Sequence, residues 1–328
     1  MEKPSGPTNS DRNRTLVYLN QKTIMKVTIS VIIPVLNNAA GLKRTLEAIS
    51  LQDIDDSKFE VIVVDNGSDD SPHEVAYRYG AIYLEEKDHL ASPYSCRNRA
   101  LEVAQGKNVV FLDSTCAPAK NWLREGFSLL NSGCDLVGGE VIFDVDERSS
   151  IGCLYDSLFN IQMEDSIKRR NVAKTTNLFV RRSVFDVMGM FPEGLRSGGD
   201  VRWTGEATAN GFSLCFGERA VVVIEARGTL KLTGKQYRVS KGMPAVWKQQ
   251  GNFFSGFVKK ICFLWLPPNP ILLWKRVDAS GHDFIKRKFI HLFVLGYFLR
   301  VISGAGAISG CLELLSCWWE AREQRNSH

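Results

Sequence analysis

Residues 60–70 read EVIVVDNGSDD. A nearly unbroken β-branched run that stops at an acid, an amide and a glycine suits a strand covered on both faces, as in a parallel sheet. The same figure recurs on either side: residues 29–35 (ISVIIPV) lead into Asn37, and residues 108–112 (NVVFL) lead into Asp113. Helix signals lie between the runs. Ser71-Pro72 reads as an N-cap and N1 proline with Gly80 as the stop, and Ser92-Pro93 opens a helix that Gly106 closes. This alternation predicts an α/β chain on an open, doubly wound, mainly parallel sheet. Ligands of such sheets bind outside the carboxyl ends of the strands, so Asn37, Asp65 and Asp113 are expected to converge on one site. The plainer reading of residues 65–68, taken alone, is a turn that ends a strand.

Working outward, residues 1–26 are polar, contain Pro4, Gly6 and Pro7, and are expected to form a disordered leader. Strands are expected at 177–180 and 220–224, and a helix from Asp200 toward Gly211. The 328 residues are 44% hydrophobic and 23% charged, which excludes a disordered chain, a collagen-like repeat and a polytopic membrane protein. Eight scattered cysteines, with no C-x-x-C pair and no signal peptide, indicate neither a zinc site nor a disulfide framework and suit a reducing cytosol. Five histidines show no ligand spacing.

Charge is unevenly placed. Residues 231–290 carry twelve Lys or Arg against Asp278 and Asp283, interleaved with ten aromatics, while the rest of the chain is net acidic. That mixture suits an anionic membrane surface. The apolar stretch 289–315, interrupted by Arg300 and loosened by Gly304, Gly306 and Gly310, admits an interfacial or re-entrant hairpin, a single span or a soluble helical pair; the hairpin is favoured. No nucleic-acid module accompanies the basic residues, so nucleic acid is not an expected partner.

The segments SVIIPVLNNAAGLKRTLEAI (30–49), EVIVVDNGSDD (60–70), SCRNRALEVAQGKNVVFLDS (95–114) and TTNLFVRRSVFDVMGMFPEGLRSGGD (175–200) occur in this order. Together they make the chain, over residues 27–242, resemble the family 2 glycosyltransferases, whose domain has the GT-A fold. The resemblance implies a GT-A domain over 27–242, and the basic, aromatic composition beyond it is expected to form a helical extension over 243–328 that associates with a membrane. The implied activity is inverting transfer of a sugar from a nucleotide-diphosphate donor to an acceptor hydroxyl, with a UDP sugar the favoured donor. A lipid-linked or polysaccharide acceptor at the cytoplasmic face of the membrane would place the protein in cell-envelope polysaccharide synthesis.

Carried over by position, the resemblance makes Pro34, Asn37, Asp65, Arg97 and Asp113 the nucleotide-binding residues and Asp200 the catalytic base. A carboxylate at 65 would accept the imide N–H of a uracil-like base. Asp200 sits where a helix begins, an end that favours a negative charge. Asn98 is expected to brace a loop rather than touch ligand. Asp113 matches the first acid of a metal-binding D-x-D motif, but Thr115 replaces the second acid, and Glu225 stands where relatives with a similar tail carry histidine. Mg²⁺ or Mn²⁺ held through Asp113 and Glu225 is the expected cofactor. Arg227, Lys235, Arg238 and Lys241 are candidates to neutralise the leaving diphosphate, and Glu206 stands where relatives often have arginine. Two alternatives remain: a binding protein of this fold that has lost turnover, and a sugar nucleotidyltransferase. The latter would need a glycine-rich, arginine-containing loop where residues 34–41 read PVLNNAAG.

Overall fold

In a computed structural model that describes residues 27–55, 58–195, 197–249, 251 and 253–326, the β-branched runs are strands. The leader expected over residues 1–26 lies outside the described residues. Strands β1 (Ile29–Val35), β2 (Phe59–Asp65) and β4 (Asn108–Leu112) alternate with helices α1 (Ala39–Ser50), α2 (Pro72–Arg78) and α3 (Pro93–Val103), with a short β3 (Ile82–Glu85) after α2. Their interior residues, among them Val31, Ile32, Ile33, Ile62, Val63 and Val110, are wholly buried, which is why these runs lack a polar alternate face.

After these come β5 (Cys116–Pro118), α4 (Trp122–Asn131), β6 (Leu136–Asp144), α5 (Ile151–Phe159), α6 (Met163–Arg170), β7 (Asn177–Arg181), α7 (Arg182–Met188), α8 (Gly199–Ala209) and β8 (Leu214–Glu225). The eight strands lie in the order β3-β2-β1-β4-β7-β6-β8-β5. β3, β2, β1 and β4 are mutually parallel; β7 is antiparallel to β4 and β6, and β5 is antiparallel to β8. The chain winds outward from β1 to β3, then returns to place β4 on the other side of β1. That reversal opens a crevice at the carboxyl ends of β1 and β4. Asn177, fully buried at the start of β7, receives the indole N–H of Trp122 (2.8 Å) and donates to the carbonyls of Glu140 (2.9 Å) and Ala220 (2.8 Å), so one amide joins three segments.

Three sequence expectations change. Ser71 has a left-handed backbone (φ 55°) and makes no side-chain cap, so Pro72 alone starts α2; Ser92 does cap α3, accepting from the Ser95 N–H. A disulfide joins Cys134 to Cys215, with Cα atoms 6.1 Å apart, where the scattered spacing indicated none. The partners are 81 residues apart in sequence and are brought together by the β6 and β8 ends, a proximity that spacing does not record. Third, the favoured hairpin within 289–315 is absent: α13 (Phe289–Asn326) runs through it as one helix.

The described residues form two compact units: residues 27–142 with 162–224, and residues 143–161 with 225–326. The second comprises α5, α9 (Thr229–Gln249), α10 (Phe253–Trp265), α11 (Pro270–Ala279), α12 (Asp283–Arg287) and α13. The boundary expected at 242/243 falls inside α9. The core of this unit is Leu154, Leu158, Leu273, Val277, Ile285 and Leu292. The glycines of α13 are close-approach positions rather than breaks: a Cβ at Gly306 or Gly310 would strike the carbonyls of Tyr237 or Lys241 on α9. Within α13, residues 289–316 have a mean hydropathy of 1.6 and are long and apolar enough to cross a membrane, with 44% of that window buried inside the protein. Ile290, Val294, Tyr297, Val301, Ile308 and Leu312 stay exposed at near-helical spacing, forming an apolar stripe.

Candidate active site

Asp65 ends β2, in register with Val35 of the neighbouring strand. Its Oδ1 accepts from the Ser68 N–H (3.0 Å) and hydroxyl (2.5 Å), and its Oδ2 accepts from the Tyr83 hydroxyl (2.9 Å). Burial first, then the contact with Asp65, pushes the Tyr83 hydroxyl well above its ordinary value, which keeps it a donor. Asn37, with a left-handed backbone (φ 49°), donates its N–H to the Ser68 hydroxyl (2.8 Å), and its side-chain oxygen accepts from the Asp69 N–H (2.8 Å). The loops after β1 and β2 are thereby tied together. Pro34 lies inside β1 opposite Val64, half-buried. Asn38 spans the β1–β4 crevice to the Ser114 carbonyl (3.0 Å).

Asp113 follows β4. Its Oδ1 accepts from the Arg97 guanidinium (2.8 Å) and its Oδ2 from the Thr176 hydroxyl (3.0 Å). Arg97 is only 2% exposed, its guanidinium carbon lies 5.5 Å from the Tyr94 ring centre, and its buried Nε has no partner among the described residues. Expected among the nucleotide-binding residues, it is paired here with Asp113 as a buried counter-charge. Thr115, at the second D-x-D position, is exposed.

Asp200 lies in the first turn of α8, after Gly198 (φ 83°). Its Oδ1 accepts from the Tyr94 hydroxyl (3.0 Å) and the Val201 N–H (2.9 Å); its Oδ2 accepts from the Thr175 N–H (3.1 Å) and hydroxyl (3.3 Å). A Cβ at Gly199 would come within 2.9 Å of the Tyr94 ring, so glycine there lets the phenol reach the acid. Beneath α8, Trp203 stacks on Phe185 (4.5 Å) and packs on Phe191 (5.0 Å), fixing where Asp200 emerges.

Thr175 and Thr176 are consecutive, and one holds Asp200 while the other holds Asp113. Adjacent Cα atoms are about 3.8 Å apart, so the two acids share one small space. Tyr94 and Arg97, one turn apart on α3, repeat the link from the other side. The ends of β2 and β4 flank β1, which puts Asp65 about 10 Å from Asp113 at ordinary strand spacing. The three acids, 135 positions apart at the extremes, thus line one crevice.

Sequence reasoning passed over Tyr94, Thr175, Thr176 and Lys174. The ammonium of Lys174 is half-buried beside Asp200; burial lowers its pKa, against the opposing pull of Asp200. The TTN at 175–177 was visible, but hydroxyls before a strand carry no signal until their partners are known. Asn98 braces as expected, exchanging hydrogen bonds with the Phe191 backbone (2.9 and 3.0 Å). Glu206 pairs with Arg202 on the exposed face of α8 (2.9 Å).

The remaining candidates belong to the helical unit. Glu225 ends β8 and is exposed. Arg227 is paired with the fully buried Asp156, through its N–H (2.9 Å) and guanidinium (3.3 Å), and Lys235 donates to Asn160 (3.0 Å). Arg238 is exposed, and Lys241 pairs with Glu313. Among the described residues no group of three or more His, Cys, Asp or Glu side chains is placed to enclose a metal.

The chain is similar to known proteins in sequence and in fold. The family model described as glycosyl transferase family 2 matches residues 30–187. The glycosyltransferase AglE of Haloferax volcanii is 38% identical over 289 residues, covering 86% of this chain and 95% of that protein. The pre-mycofactocin glycosyltransferase of Mycobacterium tuberculosis is 28% identical, covering 70% of this chain and 45% of its own. Among solved structures, the mannosyltransferase PcManGT of Pyrobaculum calidifontis, in complex with GDP-Man and Mn²⁺, superposes with a TM-score of 0.55 at 19% identity, covering 93% of this chain and 95% of that one. TarS of S. aureus in complex with UDP-GlcNAc gives 0.52 at 18% identity, covering 88% and 92%.

Proposed function

From a chain that belongs to glycosyl transferase family 2 and has the GT-A fold, and is therefore a glycosyltransferase, we propose an inverting enzyme that uses a nucleotide-diphosphate sugar. The observation that carries this reading is the Thr175-Thr176 pair, which holds Asp113 and Asp200 in one crevice. Asp65 takes the base of the nucleotide, with UDP the favoured carrier because an acceptor-only carboxylate matches a uracil imide N–H. Asp200 takes the proton of the acceptor hydroxyl as that oxygen attacks the anomeric carbon. The bond from that carbon to the diphosphate oxygen breaks, and the nucleoside diphosphate leaves with the electron pair.

Four donors already occupy the Asp200 carboxylate, which has about four lone-pair sites. The Thr175 hydroxyl, at 3.3 Å, is the longest of them and a free rotor, so it is the one an acceptor hydroxyl displaces. Tyr94 and the two backbone N–H groups keep the carboxylate aimed meanwhile.

The residues fit a hard cation held through one protein carboxylate. Each oxygen of Asp113 has one donor and so retains a lone pair with which it would hold Mg²⁺ or Mn²⁺, the donor phosphates and water supplying the other ligands. Such an ion would neutralise charge developing on the diphosphate. Glu225, expected as a second ligand, ends β8 and is exposed.

The acceptor is a lipid-linked or polysaccharide hydroxyl at a membrane surface, a reading supported by the basic, aromatic helical unit and the apolar stripe of α13. The test is a thermal-shift series with UDP and GDP, each with Mn²⁺ or with excess chelator. UDP with Mn²⁺ should raise the midpoint most. Equal shifts by both nucleotides would remove the base assignment, and shifts indifferent to chelator would remove the metal. Product of the opposite anomeric configuration to the donor, read by NMR coupling constants, is expected; retention would end the single-displacement reading.

A further inference from the structure

Within the helical unit, α5, α9, α10 and α13 line a half-open cavity of about 260 Å³. One side is apolar, with Tyr155 and Phe159 stacked, ring centres 4.5 Å apart, beside Leu264 and Leu299; Asn160, Gln236 and Ser303 add neutral polar groups. Two cations, Lys260 and Arg300, also line it, and no Asp or Glu does among the described residues. Lys260 makes no hydrogen bond or ion pair within the described residues. Asp156, on the same helix as Tyr155 and Phe159, is fully buried and already engaged by Arg227 and Asn160.

Two like charges lining one cavity repel each other. Burial, and then the charge of Arg300, lowers the pKa of Lys260. Arg300 is anchored, donating to the carbonyls of Leu266 (2.7 Å) and Pro267 (2.9 Å), so it cannot swing away. A small anion between the two would relieve both the repulsion and the desolvation. The volume is slightly below the roughly 300 Å³ at which drug-sized sites begin, enough for a headgroup rather than a whole nucleotide. Arg300 reaches the cavity from α13, whose exposed side carries the apolar stripe, so an anion and an apolar chain have places on the same helix.

We propose that this cavity binds the phosphate of an anionic lipid, with Lys260 and Arg300 as its phosphate ligands and the rings of Tyr155 and Phe159 against the first carbons of the chain. This assignment does not depend on the transfer reaction.

The test is calorimetric titration of the full chain with dihexanoyl phosphatidate below its micelle-forming concentration, beside dihexanoyl phosphatidylcholine and inorganic phosphate. One saturable phosphatidate site is expected. Lys260→Gln should weaken it by about ten-fold or more, the loss of one charge-assisted contact, and Lys260→Arg should retain it. Lys259→Gln, which removes the exposed neighbouring charge, should leave it unchanged. Leu264→Trp, which fills the cavity without touching charge, should abolish binding and gives an independent readout if Lys260→Gln fails to fold. Absence of a saturable site, equal binding of inorganic phosphate or of phosphatidylcholine, or equal losses in the Lys259 and Lys260 variants would each overturn the proposal.

Discussion

In the sheet unit, Asp65, Asp113 and Asp200 each engage both carboxylate oxygens with donors from neighbouring segments. In the helical unit, Lys260 and Arg300 line one cavity, and no Asp or Glu lines it among the described residues. The first arrangement is preorganised and self-contained, so removing one member should cost function or stability. The second holds surplus charge of one sign, so neutralising Lys260 should cost little or even raise the melting point.

The largest departure is expected at Asp200→Asn. Transfer should fall by about 10²–10⁴, the usual worth of a positioned general base, while donor binding persists because the amide still accepts from Thr175. Retention of more than a tenth of the turnover would assign the proton transfer elsewhere.

Next comes the Cys134–Cys215 link, the one disulfide among the described residues. It closes a long loop in the sheet unit, a constraint worth about 2–4 kcal/mol. Reduction, or Cys215→Ser, should therefore lower hydrogen-exchange protection in β6 and β8 while the α9 and α13 amides stay as they were. Equal loss in both units would show that they do not respond independently.

A smaller effect should follow Arg97→Met, which leaves Asp113 with the Thr176 hydroxyl alone. About 2 kcal/mol is expected, read as a melting point lower by about 4–8 °C, together with weaker Mn²⁺-dependent nucleotide binding.

Smallest is the one place where the sheet unit resembles the helical one, the half-buried Lys174. Its folded-state pKa is depressed, so between the folded and unfolded values the unfolded chain holds more protons and stability rises with pH. Lys174→Met should flatten that alkaline rise and lift the neutral-pH melting point by a few degrees, at some cost in transfer because Asp200 loses its neighbouring cation. A lower melting point would mean that the attraction to Asp200 outweighs the desolvation of the ammonium.

Much of the sheet unit was legible because burial on both faces of a parallel strand leaves a continuous apolar run, as at 29–35, 60–64 and 108–112. β6 (LVGGEVIFD) escaped notice because Gly138 and Gly139 interrupt such a run, yet both are demanded by packing: a Cβ would strike Ile167 at one and Asn177 at the other. The pairing of Arg97 with Asp113 was not legible because helix position says nothing of which acid lies opposite. α13 looked breakable because glycine lowers helix propensity, whereas close contact with α9 compensates for that loss.

The sequence alone determined β1, β2 and β4, the acids at the ends of β2 and β4, Asp200 at a helix start, the family likeness and the placement of charge, because each depends on neighbours along the chain. Only the tertiary structure decided that Thr175 and Thr176 hold two acids from distant segments, that Cys134 meets Cys215, and that Lys260 and Arg300 share a cavity. These depend on which distant side chains the order β4-β7-β6-β8 and the crossing of α10 with α13 bring within hydrogen-bonding or Coulombic range, and no local pattern encodes that.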